Sequence, residues 1–192
     1  MEKLYGEKIN TAVFISGRGS NLKSLIKYNK KRNSPILIKL VISSNPNAKG
    51  LIIAKKSKIT KYIINLNNKN FEKKLLKKLF YHKISLICLA GFMKILSKNF
   101  IKKFNKPILN IHPSLLPKYK GLNTHKKVIK NKEKYSGSTV HLVTAKLDSG
   151  KIILQKKIKV SIYENENTLE KKILKIEHEL YPEAIKKFLI NL

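Results

Sequence analysis

Asn110-Ile111-His112-Pro113-Ser114-Leu115-Leu116-Pro117 sets an amide donor beside an imidazole at the end of an apolar stretch, Pro107-Ile108-Leu109. Alternation along an extended chain puts Asn110 and His112 on one face. Pro113 biases His112 away from helix and stiffens the turn that follows. An amide and an imidazole placed together can hold an oxyanion and handle a proton. From these residues alone, a satisfied polar strand end is the competing reading.

Two further groups of residues could do chemistry. Ser16-Gly17-Arg18-Gly19-Ser20-Asn21 lies between a strand pattern and a helix pattern, where backbone N–H groups and the positive helix end bind phosphate. Leu22 stands where a dinucleotide fingerprint would place a third glycine, and Val41-Ile42-Ser43-Ser44 offers no acidic residue for a ribose. A mononucleotide-sized phosphate therefore fits better than NAD. A plain glycine turn capped by Ser20 is the alternative. Asp148, in Leu147-Asp148-Ser149-Gly150, sits in a predicted hairpin turn, where aspartates usually cap their own turn. Near His112 it would instead orient the imidazole and favour its charged form.

The elements that must position these residues alternate as in an α/β protein. Strands are predicted at Ile9–Ile15, Ile36–Ile42, Tyr62–Ile64 and Ile84–Leu89, the last central and covered on both sides. Helices are expected over Leu22–Tyr28, Gly50–Lys56 and His125–Lys130. Another carries Phe71, Leu75, Leu76, Leu79 and Phe80 on one apolar face. A hairpin of Ser138–Ala145 and Ile152–Val160 precedes a closing helix, Leu169–Phe188, in which Pro182 predicts a kink or break. The expectation is one domain over residues 1–192, with a mostly parallel central sheet and helices on both faces.

Composition limits the function classes. No apolar run approaches a membrane span, and the N-terminus lacks the apolar region of a secretory signal. The single cysteine, Cys88, lies in an apolar run and cannot form an internal disulfide, which points to a reduced, cytoplasmic protein. The net charge of +31 invites a nucleic-acid reading. Against it, only Arg18 and Arg32 are arginine, and the lysines are spread through the whole chain among Asn and Ile. That is the mark of an A+T-rich codon bias, so the charge reads as solvated surface with no specific nucleic-acid partner.

Four segments taken in order carry a resemblance: Ser16-Gly17-Arg18-Gly19-Ser20-Asn21-Leu22, Leu89-Ala90-Gly91-Phe92-Met93-Lys94-Ile95-Leu96, Asn110 through Gly121, and Leu147-Asp148-Ser149-Gly150. From about Lys8 onward the chain closely resembles the phosphoribosylglycinamide formyltransferases, folate-dependent enzymes of purine synthesis. The resemblance implies a Rossmann-like formyltransferase fold. It also implies formyl transfer from 10-formyltetrahydrofolate, as co-substrate, to the amine of glycinamide ribonucleotide, without a metal. By the same resemblance Asn110, His112 and Asp148 carry catalysis. Gly19, Ser20 and Asn21 hold the ribonucleotide phosphate. Met93, Lys94, Ile95 and Leu96 border the pterin with Asn110 nearby, and Glu177 lies at the glycinamide end. As a residue on a helix, Glu177 could equally be a surface glutamate.

Departures from the family pattern are few. Lys94 replaces an arginine common in relatives, and Asn68, followed by Lys69, falls where the family often places a substrate-binding arginine. Leu174 replaces a polar residue near Glu177. Related enzymes that share the Asn-x-His and Asp chemistry act on water or on initiator tRNA, and they carry an added N-terminal or C-terminal domain respectively. A catalytically dead nucleotide-binding module is the alternative from another class. The partners expected are small molecules, with the protein a monomer or a homodimer.

Overall fold

A computed structural model describes residues 7–65, 68 and 70–191. Contacts divide the chain into two compact units, one ending at Leu109 and the other beginning at Asn110.

In the first unit, β1 (Ile9–Ile15), β2 (Ile36–Ser43), β3 (Thr60–Ile63) and β4 (Leu86–Leu89) lie in the order β3-β2-β1-β4. Every pairing among them is parallel, β1 taking β2 on one side and β4 on the other. Side chains of a strand point alternately to its two faces. Because Thr11–Ile15 and all four residues of β4 are buried, both faces there are covered. That is why these strands read as continuous apolar runs rather than alternating ones. The Ile87 N–H donates to the Pro107 carbonyl at 3.1 Å, which brings the chain entering β5 (Ile108–His112) alongside β4.

The connections are α1 (Ser20–Asn29), α2 (Gly50–Lys56), α3 (Phe71–Tyr81) and α4 (Lys98–Phe104). On α3 the core takes Leu75, Leu76 and Leu79, while Phe80 is 54% exposed and Phe71 is half-buried. At 100° per residue, Phe71 and Phe80 stand roughly 90° to either side of the stripe's centre, too far round to reach the core. Sequence reasoning missed α4. Its signals were Ser97, whose side chain accepts the Phe100 N–H at 3.0 Å as an N-cap, and the buried pair Phe100 and Phe104.

The second unit holds the end of β5, α5 (Thr124–Lys130), β6 (Tyr135–Leu142), β7 (Ile152–Lys159) and α6 (Glu166–Ile190). β6 and β7 are antiparallel, as the hairpin reading required. The strand β6 begins and ends three residues earlier than expected, so the connection, 143–151, is longer than a tight turn. Gly150 permits its return: a Cβ there would lie 1.8 Å from the Leu142 carbonyl oxygen. α6 starts at a capping box made by Asn165 and Thr168 and continues through Pro182 without a break. Its buried face of Leu169, Ile173, Ile176, Leu180, Tyr181, Ala184 and Ile185 keeps helical spacing on both sides of the proline. Packing of that stripe holds the helix where loss of one N–H alone would weaken it.

Candidate active site

Strand β5 delivers two side chains to one cluster. The Asn110 Nδ2 lies 3.2 Å from His141 Nε2, and the His112 Nδ1 lies 3.4 Å from Asp148 Oδ2. Asp148 Oδ1 is in turn 3.5 Å from His141 Nε2, so one carboxylate faces two imidazoles. Asp148 does not cap its own turn. Its Oδ2 accepts the N–H of Gly121 at 2.9 Å, from a residue 27 positions earlier, and its side chain is only 7% exposed. The local cap is Ser149, whose Oγ donates to the Leu147 carbonyl.

Carbonyl partners assign the ring protons. His141 Nδ1 faces the Leu142 carbonyl at 2.8 Å and must donate to it, while Nε2 faces both the Asn110 amide and Asp148 Oδ1. His112 Nε2 faces the Tyr119 carbonyl at 2.8 Å and must likewise carry a proton. For Nδ1 of His112 to face a carboxylate favourably, it must carry one as well. Geometry thus favours the imidazolium, while burial opposes it. Burial pushes the His112 pKa down, the Tyr119 carbonyl and Asp148 only partly offset that, and the ring sits below 6.5. For Asp148, burial pushes the pKa up, but the His141 contact, the Gly121 N–H and the charge on the two imidazoles outweigh it. Its carboxyl is held below 3.8.

Ser138 ties this cluster to α6. Its hydroxyl donates to the His112 carbonyl at 2.9 Å and stands 3.4 Å from Glu177 Oε1. Glu177 is 4% exposed, so the surface-glutamate reading fails. Beside Asp148 a pocket of 300 Å³ is lined in part by Leu116, Lys120, Lys146 and Gly150. The residue that sequence reasoning missed is His141. Its signal was a polar ring on a strand that buries Ser136 through His141 without interruption.

In the first unit, Gly19 takes the N-cap of α1 with φ of 77° and provides no side-chain cap. Ser20 does not cap the turn, so the competing capped-turn reading fails, and the first-turn N–H groups stay suited to an anion. Ser20 is half-buried and Asn21 is buried. The close approach that Gly19 permits is to protein: a Cβ there would lie 2.6 Å from Gly50 Cα. Met93 and Ile95 are 63% and 74% exposed, Lys94 is exposed, and Leu96 is buried. The Met93 N–H is engaged by Ser16 Oγ at 2.8 Å. Asn68 Oδ1 accepts the Asn70 N–H at 2.9 Å and so shapes the turn before α3. Lys69 lies outside the described residues.

Residues 9–185 match the formyl transferase family. The trifunctional purine biosynthetic protein adenosine-3 of Gallus gallus is 40% identical over 187 residues, covering 95% of this chain and 19% of the relative. This chain therefore spans about a fifth of the length of that curated relative. Phosphoribosylglycinamide formyltransferase of Escherichia coli (strain K12) is 35% identical over 184 residues, covering 94% of this chain and 87% of the relative. The crystal structure of phosphoribosylglycinamide formyltransferase from Brucella melitensis superimposes with a TM-score of 0.90 at 39% identity, covering 95% and 96% of the two chains.

Proposed function

Because the chain belongs to the formyl transferase family, we propose that it transfers a formyl group from 10-formyltetrahydrofolate to the amine of glycinamide ribonucleotide, as one catalytic domain acting in the cytoplasm. The observation that carries the reading is the cluster of Asn110, His112, His141 and Asp148 in a chain of this family.

The substrate amine attacks the formyl carbon and negative charge develops on the formyl oxygen. The Asn110 amide has a second N–H beyond the one directed at His141, and it donates to that oxygen. His112 Nδ1, held only loosely at 3.4 Å from Asp148, turns its N–H to the same oxygen. Each such donor typically supplies ~3–4 kcal/mol. Burial works against the imidazolium, and the Tyr119 carbonyl and the carboxylate of Asp148 together make the charged ring accessible during the reaction. Asp148 also orders a water that relays the proton to the leaving nitrogen. Gly19, Ser20 and Asn21 hold the ribonucleotide phosphate, supported by the uncapped start of α1. Met93, Lys94, Ile95 and Leu96 border the pterin, supported by the apolar exposure of Met93 and Ile95. With the Met93 N–H engaged by Ser16, other backbone groups of that segment make the polar contacts. Glu177 meets the glycinamide end.

The test is acceptor choice at near-physiological salt, with glycinamide ribonucleotide, charged initiator tRNA and water in competition. Transfer to the ribonucleotide is expected, with the other two inert. Efficient formylation of tRNA, or release of formate, would reverse the assignment.

A further inference from the structure

The carbonyl that holds the His112 ring belongs to a residue in an uncommon conformation. Tyr119 has φ of +55°, a region that a bulky side chain enters only when its surroundings hold it there. Tyr119 lines a cavity of 360 Å³, together with Leu115, Pro117, Val128 and Tyr135. Beside that cavity, the hydrogen bonds of the tyrosine hydroxyl anchor the side chain.

Those bonds come from the turn that closes α5. The Tyr119 hydroxyl donates to Glu133 Oε1 at 2.7 Å and accepts from Asn131 Nδ2 at 2.9 Å. Lys132, between them, takes a positive φ, and the Glu133 N–H returns to the Val128 carbonyl, so the turn presents both side chains together. Lys118 pairs with the same carboxylate at 3.0 Å. We infer that Glu133 is a positioning residue for the reaction: it tethers the Tyr119 hydroxyl, which keeps the Tyr119 carbonyl on His112 Nε2 and so aims Nδ1. This rests on the role assigned above to His112. The hydrogen bond from Tyr119, and then Lys118, hold the Glu133 carboxyl below its ordinary value, so it is ionised and a strong acceptor at neutral pH.

Four variants test the tether: Tyr119→Phe, Glu133→Ala, Glu133→Gln and Lys118→Met. Turnover and the ring 15N and N–H signals of His112 are read for each. Tyr119→Phe and Glu133→Ala should lower kcat about tenfold with little change in either KM, since a misaimed ring weakens the reacting geometry and not ground-state binding. Both should also shift the His112 ring signals. Glu133→Gln should recover most of the turnover, because its amide oxygen still accepts the tyrosine O–H although the charge is gone. Lys118→Met should match the unaltered protein. Unchanged kcat and ring signals in Glu133→Ala would overturn the inference, and so would a Lys118→Met that behaves like it. Where Tyr119→Phe fails to fold, the contrast between Ala and Gln at 133 still decides. His112→Gln, run alongside, tests the parent assignment separately. Were it active, the function given to His112 would fall, while the ring signals would still report whether Glu133 holds the imidazole.

Discussion

His112 shows two opposing influences on one side chain. Its carbonyl and carboxylate partners favour the charged ring, and its burial disfavours it. Asp148→Asn isolates the contribution of the carboxylate. An asparagine oxygen can still accept the Gly121 N–H, so the turn should survive, but it cannot sustain an imidazolium. We expect kcat to fall about a hundredfold or more, with both substrates still bound and the melting temperature nearly unchanged. The His112 pKa, followed by its ring signals, should move further down. Near-normal turnover in Asp148→Asn would remove the carboxylate from the mechanism. Of this cluster, Asn110 and His112 were legible at a strand end, whereas Asp148 stood out only through the family resemblance, because its own turn reads as a local cap. His141 was not legible, since an inward histidine in a strand looks like any other buried polar group until its neighbours are known.

Elements constrain the loop at Gly17–Asn21 more than its ligand does. Gly19 reads in sequence as the point where a phosphate approaches the backbone, yet the space its missing side chain leaves is filled by Gly50 at the start of α2. Gly19→Val should therefore cost about 2–4 kcal/mol of stability, from the left-handed backbone and the clash with a neighbouring backbone, and should weaken both substrates together. Gly17→Ala should be tolerated, because a Cβ at that position meets nothing within 4 Å. Urea unfolding of the two variants checks this. A stable Gly19→Val with a selectively raised KM for the ribonucleotide would mean that Gly50 yields and the ligand is what the side chain meets.

Across the whole molecule, acid should be the weak side. His112, His125 and His178 all have folded pKa values pushed below 6.5 by burial. The unfolded chain therefore binds more protons than the folded one as pH falls through 6.5, and stability is lost over that window. Asp148 acts in the same direction lower down: its stabilisation is present above 3.8 and disappears as pH falls through its depressed folded value. The melting temperature should drop between pH 7.5 and 5.5, and His125→Gln should flatten that drop. His125 is the informative choice because burial lowers its pKa even though Glu170 and Glu166 favour the charged ring, and its buried Nδ1 has no hydrogen-bond partner. A melting temperature independent of pH across this range would count against the buried, neutral state of these rings.

Sequence alone marked most of the elements, α4 excepted, and pointed to where the chemistry begins. Apolar runs marked β1 and β4, helical spacing marked α3, and the Asn110–Pro117 segment marked a candidate site, because each of these signals is local. Burial on the edge of a stripe is not local, which is why Phe80 emerged exposed. Only the tertiary structure turned Asp148 from a turn residue into the shared partner of two imidazoles. It also showed that the Tyr119 backbone, not a side chain, holds His112 Nε2. His112 and Asp148 meet from distant parts of the chain, while the His141–Asp148 and His112–Tyr119 contacts close across loops whose course the local spacing of residue types does not reveal.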